Sequence, residues 1–183
     1  DDKIQKGEAT ITELGIEGNA IYGLSPQIRK QLNQQKTAIV FIDLKPTLVQ
    51  KVIDKKFATN RTKKPSDILR KILNLNSLQV DLIKDYTTKE DFINRIKLAQ
   101  TIKKLKIEII GTAPIDEAIS TVGGISFNEV DDNFQLKEMS NHYCIGEMLD
   151  YDAPTGGYLL QSCFSMGAYL AEHFNSKQLS LGK

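Results

Sequence analysis

Residues 142–158 read HYCIGEMLDYDAPTGGY and place a carboxylate, two adjacent glycines and a helix start at a spacing that suits a flat ligand bearing hydroxyl groups. The nearly apolar run 142–146 has the length of a short strand. It ends in Gly146-Glu147, an acidic loop carries the chain through Asp150 and Asp152, and Thr155-Gly156-Gly157 opens a helix expected over 158–174. The first N–H groups of a helix have no partner within it and sit at the positive end of its dipole. Glycines there let a ring lie close to the backbone. A carboxylate such as Glu147 accepts hydrogen bonds from ligand hydroxyls, so a polyol joined to an electron-rich ring edge is the chemistry these residues fit. A plainer reading stands beside it. Thr-Gly-Gly is common turn chemistry, and Glu147, Asp150 and Asp152 also read as a solvated loop.

Other reactive side chains are sparse. His142 and His173 have no Ser, Cys or carboxylate at a spacing that marks a catalytic triad. Cys144 and Cys163 lie in apolar stretches without CxxC spacing, which reads as two buried free thiols and no zinc site. Asp116-Glu117 follows Pro114, where Asp116 is expected to cap a short helical turn. Catalytic acid–base residues are not identified by these patterns.

The elements around this block follow from periodicity and caps. Residues 8–14 alternate as a strand does, followed by a turn-rich stretch with Gly15, Gly18 and Gly23. Ser25 and Pro26 start a helix that runs to Gln35. TAIVFIDL (37–44) is a β-branched strand. A helix from Pro46 carries Leu48, Val49, Val52, Ile53 and Phe57, and Ser66 caps another with Leu69, Ile72 and Leu73 inward. A further helix covers 78–84. Thr87 and Glu90 have capping-box spacing and start a longer helix with a stripe of Phe92, Ile96, Ala99 and Ile102. KIEII (106–110) is a strand, Ile125–Phe127 a short one, and Asp131-Asp132-Asn133 a turn. The last helix carries small residues at 167, 168 and 171, which permit close packing.

The 183 residues, 40% hydrophobic and 26% charged, suit one large domain or two small ones with a buried core. No apolar run reaches the ~20 residues that span a bilayer, so no membrane association is expected. The net charge is +1, but 61–106 carries a surplus of seven positive charges and 107–183 a surplus of eight negative ones. That asymmetry marks two subregions, with a boundary near 111–115. A basic stretch is necessary for nucleic-acid binding but not specific to it, and 61–106 has few aromatics for stacking. It is read first as a solvated face, with weak nucleic-acid binding as an alternative.

The dense block DEAIS (116–120), GGI (123–125), GEMLD (146–150) and APTGGYLL (153–160) resembles the C-terminal signature of the YhiN/BaiN-like NAD(P)/FAD-dependent oxidoreductases of bacteria. The segment 7–25, GEATITELGIEGNAIYGLS, is similar to that family's early region. The resemblance implies an α+β chain in two parts. Residues 1–112 would belong to an inserted domain of strands with a helical subregion over about 59–104. Residues 113–183 would be the C-terminal part of a Rossmann-like FAD-binding domain. It also implies FAD as cofactor, with Glu147 on the ribityl hydroxyls and the backbone of Thr155, Gly156, Gly157 and Tyr158 at the pyrimidine edge. Gly146 and Asp150 would shape the loop, and Gly123 and Gly124 would lie near the flavin or support the sheet beneath it.

The family's G-x-G-x-x-G phosphate loop has no counterpart among these residues, and the chain begins at Asp1. The expectation is therefore a C-terminal stretch of a larger cytoplasmic flavoprotein, inactive alone and holding little or no FAD by itself. Its electrons would come from NAD(P)H or go to oxygen, and its substrate is an unidentified small molecule. An alternative role is an interaction module, with an apolar surface that pairs two copies into a homodimer.

Overall fold

The computed structural model describes residues 3–154 and 156–181, of which 177–181 in backbone only. In chain order the elements are β1 (Thr10–Thr12), β2 (Gly15–Glu17), α1 (Asn19–Tyr22), α2 (Ser25–Gln35), β3 (Ala38–Ile42), α3 (Gln50–Thr59), α4 (Pro65–Asp67), α5 (Ser77–Asp85), α6 (Lys89–Ile93), α7 (Arg95–Lys103), β4 (Leu105–Ile109) and α8 (Tyr158–Leu181). The fold is mixed helix and strand, as the sequence predicts. The chain divides into two compact units, residues 28–111 and residues 1–27 with 112–183. Residues 1–27, read in the sequence with the first part, thus group by contacts with the C-terminal part.

Within 28–111, β3 and β4 pair antiparallel, with Val40 opposite Ile107 and Phe41 opposite Lys106. Ala38, Val40, Leu105 and Ile107 are buried, while Ile39, Phe41, Lys106 and Glu108 face out, the period-2 signature of a half-covered sheet. The helices close over a core centred on Ile53, Phe57, Leu69, Val80, Leu98 and Ile102. The apolar spacing predicts a helix from Pro46. Residues 46–49 instead form a turn, α3 begins at Gln50, and Val49 stays 65% exposed.

Two local devices here depart from the periodic pattern. Pro65 takes the first position of α4, so Ser66 lies inside the helix and does not cap it. The chain then widens into a π turn over Ile68–Ile72, with Leu73 N–H donating to the Ile68 carbonyl at 2.9 Å. The long helix expected from residue 88 is two helices. Thr88, not Thr87, caps the first by accepting from Asp91 N–H. Asn94 Oδ1 then accepts from the N–H groups of Ile96 and Lys97 at 3.1 and 3.2 Å and starts α7 in a new direction. The break turns the buried face to Leu98, Ala99 and Ile102, and Ile96, placed in the expected stripe, is 72% exposed. Replacing Asn94 with Ala should lower the urea midpoint by the equivalent of about 1 kcal/mol with an unchanged slope. An unmoved midpoint would show that the cap contributes nothing.

In the other unit, the alternating run 8–14 is one arm of a hairpin. β1 pairs with β2 antiparallel, Ile11 opposite Ile16, so Gly15 lies in a strand. After residue 112 the chain is held by turns and single bridges. Ile125 bridges Leu149 in parallel, and Val130–Leu136 and Gln135–Tyr143 are antiparallel bridges. The strands expected at 125–127 and 142–146 are reduced to these contacts. Asp131 fulfils the turn signal, its carboxylate accepting from Asn133 and Gln135 N–H, each at 2.9 Å. Ile115–Glu117 is a single 3-10 turn without a side-chain cap, so Asp116 does not serve as one. Val130, Cys144 and Leu149 are buried, with Ile125, Phe134, Leu136 and Met166 packed on them. Edge-to-face contacts of Phe134 with Tyr169 and of Tyr143 with Phe174 fasten these loops to α8.

Candidate functional site

Gly146–Met148 forms a 3-10 turn, closed by Leu149 N–H donating to the Gly146 carbonyl at 3.1 Å. This corrects the expectation that Glu147 ends a strand. The turn buries Leu149 to 1% exposure, while Glu147 and Asp150 point their carboxylates to solvent. Gly124 comes alongside through the Ile125–Leu149 bridge. Ile125 N–H donates to the Met148 carbonyl and Asp150 N–H to the Ile125 carbonyl, both at 2.9 Å. Five of the sequence-predicted residues (Gly123, Gly124, Gly146, Glu147 and Asp150) are thereby brought onto two adjoining strands of backbone. No signal in the linear sequence joins residues 123–125 to 146–150.

Gly156, Gly157 and Tyr158 stand at the start of α8, all exposed. Thr155 lies outside the described residues. Gln161 N–H donates to the Gly157 carbonyl at 3.0 Å, so the first full turn of α8 is formed there. The Gly146 turn packs further along the helix, on Cys163 and Met166. Cys163 is six residues beyond Gly157, or ~9 Å along the axis, which separates the helix start from the Glu147 turn by about two helical turns.

These residues fit a flavin in two respects. A Cβ built on Gly123 or Gly157 would meet nothing within 4 Å, so the backbone is open to a flat ligand at both. The Glu147 carboxylate is exposed, leaving its oxygens accessible to ligand hydroxyls. A narrow cleft of about 140 Å³ adjoins the loop before α8, with Asp152, Ala153 and Pro154 on one side and Lys3, Gln5, Tyr22, Gly23 and Pro26 on the other.

A larger but shallow hollow of about 650 Å³ lies in the 28–111 unit, beside Asp91, Lys97, Lys103 and Lys104. It is not the better site, because its cations already have partners. Lys97 pairs with Asp91, Lys103 with Asp43, and Lys104 lies over the Phe41 ring at 4.5 Å. Elsewhere in the basic stretch, a hydrogen bond and the charge of Lys71 hold the Asp67 carboxyl below its ordinary range, and Lys84 does the same for Asp81.

Both cysteines are free thiols, Cys144 buried and Cys163 half-buried. His142 Nδ1 lies 3.0 Å from the Ser140 carbonyl, and His173 packs on Phe174. Among the described residues no group of three or more His, Cys, Asp or Glu side chains is placed to hold a metal ion. No helix among them is long and apolar enough to cross a membrane.

The chain is 29% identical over 176 residues to a 3-dehydro-bile acid delta(4,6)-reductase of Clostridium scindens, an alignment covering 90% of this chain and 43% of the reductase. The chain thus spans less than half the length of that relative. Residues 1–120 match the HI0933-like protein barrel and H2TH domain. With more than half of its length inside that match, the chain belongs to the HI0933-like family of flavoprotein oxidoreductases, the YhiN/BaiN type whose signature its C-terminal block resembles.

Proposed function

We propose that the protein is an FAD-dependent oxidoreductase that reduces an organic substrate, with residues 113–183 contributing to a Rossmann-like FAD-binding domain and residues 1–112 to an inserted domain. The observation that carries this reading is the exposed Glu147 carboxylate on a turn braced by Gly124, in a chain of a flavoprotein family. Glu147 would accept hydrogen bonds from the ribityl hydroxyls. The N–H groups at the start of α8, from Gly156 to Tyr158, would face the pyrimidine edge, where negative charge grows on reduction. Gly146 and Asp150 shape the loop, and Gly123 leaves room for the ring. Bound FAD supplies storage and release of an electron pair.

The relative is named a reductase of a 3-dehydro-bile acid. At 29% identity we carry over the reaction class and not the bile-acid substrate. The cleft beside Tyr22 and Asp152–Pro154 adjoins the inferred ring site and is the approach we assign to the substrate.

Visible absorption after loading with FAD and desalting tests the reading. The complete gene product carrying this sequence should retain flavin. The 183-residue chain should retain little, having no G-x-G-x-x-G loop to cradle the pyrophosphate. Glu147→Ala in the complete protein should weaken FAD affinity about tenfold, the effect of one charge-assisted hydrogen bond. A complete protein that emerges colourless after loading would sink the proposal.

A further inference from the structure

The turn that carries Glu147 rests on two sulfur atoms. Gly146 adopts φ 65°, and its N–H donates to Met166 Sδ at 3.3 Å. A Cβ on Gly146 would lie 3.2 Å from Cys163 Sγ, closer than side chains ordinarily pack. Cys163 and Met166 are three residues apart in α8 and so lie on one face of it. Met166 is also packed on the core of Val130, Cys144 and Leu149, which fixes where its sulfur stands.

Chemistry favours this arrangement. A thioether is a polarisable, weak acceptor on an adaptable side chain. It gives the amide of a positive-φ glycine a partner without adding a second polar group to an apolar contact. On the other side of the turn, the Gly146 carbonyl accepts from Leu149 N–H. The backbone that carries Glu147 is therefore held between a backbone closure and a sulfur seat.

We infer that Met166 and Cys163 are positioning residues for the Glu147 carboxylate, holding the Gly146–Met148 turn at the pose in which Glu147 engages a ligand polyol. This rests on the flavin reading above. It adds that cofactor affinity is set in part from within α8, by side chains that do not touch the cofactor.

The test is a double-mutant cycle in the complete gene product, with FAD affinity and the Gly146 amide resonance as separate readouts. Met166→Leu conserves volume, so the melting temperature should change little. The Gly146 amide resonance should shift and its hydrogen exchange accelerate, and FAD affinity should fall about threefold, as for loss of one weak hydrogen bond. In the Glu147→Ala background the same change should cost FAD affinity nothing further, because there is no carboxylate left to position. A second pair probes the other sulfur. Gly146→Ala should weaken FAD binding through its contact with Cys163, and adding Cys163→Ala should restore part of it.

An equal FAD loss from Met166→Leu with and without Glu147 overturns the positioning role in favour of general packing. So does an unmoved Gly146 amide. A wild-type protein that binds no FAD removes the flavin reading itself, and the positioning role falls with it. A wild type that binds FAD while the cycle fails removes only the sulfur seat.

Discussion

Gly124→Ala is expected to destabilise the C-terminal unit by about 3 kcal/mol and to abolish FAD retention by the complete protein. A Cβ at this position would lie 2.7 Å from the Met148 carbonyl oxygen and 3.0 Å from the Leu149 carbonyl carbon. Both are backbone atoms, so no side chain can swing aside. The residue has φ 148°, which L side chains rarely adopt, so strain adds to the collision. Relief requires parting the two strands, which breaks the pair of 2.9 Å hydrogen bonds between Ile125 and Met148–Asp150. It also lifts the buried Leu149 side chain. Two hydrogen bonds at about 1 kcal/mol each and a strained backbone make up the estimate, a large part of the ~5–15 kcal/mol that holds a domain together. Gly123→Ala is the control. Its φ is 98° but nothing lies within 4 Å of its Cβ, so it should cost only the local strain, about 1 kcal/mol. Thermal melts of the two variants decide it. Equal losses would show that close backbone approach at Gly124 is not what the glycine provides.

That contrast between neighbouring glycines also shows where the sequence could be read and where it could not. The pair at 123–124 is visible, but which of the two is braced depends on a strand 24 residues away. Patterns with a period were legible. β3 and β4 appear within one or two residues of the apolar runs that predict them, because alternate burial of Ala38, Val40, Leu105 and Ile107 is written in the residue types. The helix from 158 likewise announces itself by its glycine start, but it runs to Leu181 rather than to 174, and Leu160 and Phe164, apolar residues that periodicity places inside, are exposed. The longer helix expected from residue 88 failed on one side chain. Asn94 lies amid helix-compatible residues, and only its capture of two N–H groups ends one helix and begins another. Residues 112–154 were the least legible, since single bridges and 3-10 turns have no period. There the sequence motif names Glu147 but not what holds it. Cys163 was readable only as a thiol in an apolar stretch and Met166 carried no signal, because their contact with Gly146 crosses about 20 residues and leaves no trace in spacing.

In the basic stretch, ten of the twelve cations of 61–106 are exposed, as a solvated face requires, but two, Arg95 and Lys103, are internal fasteners that counting charges does not single out. Lys103 Nζ donates to the Leu48 carbonyl at 2.7 Å, to the Lys45 carbonyl at 3.2 Å and to the Asp43 carboxylate. Its three protons are thereby all used, tying the end of α7 to the connection between β3 and α3. Its side chain is only 20% exposed. Arg95 uses backbone carbonyls instead. Its guanidinium donates to the carbonyls of Asn60, Arg61 and Lys63 at 3.3, 2.7 and 2.8 Å, using the planar fork of donors to fix the 60–63 loop after α3. Lys103→Met keeps the apolar stem but strands two carbonyls and a carboxylate. We expect a loss of about 2 kcal/mol, below the full cost of a buried pair because Asp43 is partly solvated. Arg95→Met unties the 60–63 loop, but the Arg61 and Lys63 carbonyls are exposed and can turn to water, so it should cost less, about 1 kcal/mol. Urea melts measure both, and the pair lies far enough apart in the chain to be combined as a test of additivity. The measurement also separates two uses of positive charge. Cations kept for nucleic acid would leave the melts unmoved on removal and would lower duplex binding together with its salt slope. Cations kept for the fold would shift the melts and leave any salt-dependent binding where it was. The three-carbonyl contacts of Arg95 and the filled donors of Lys103 favour the second outcome.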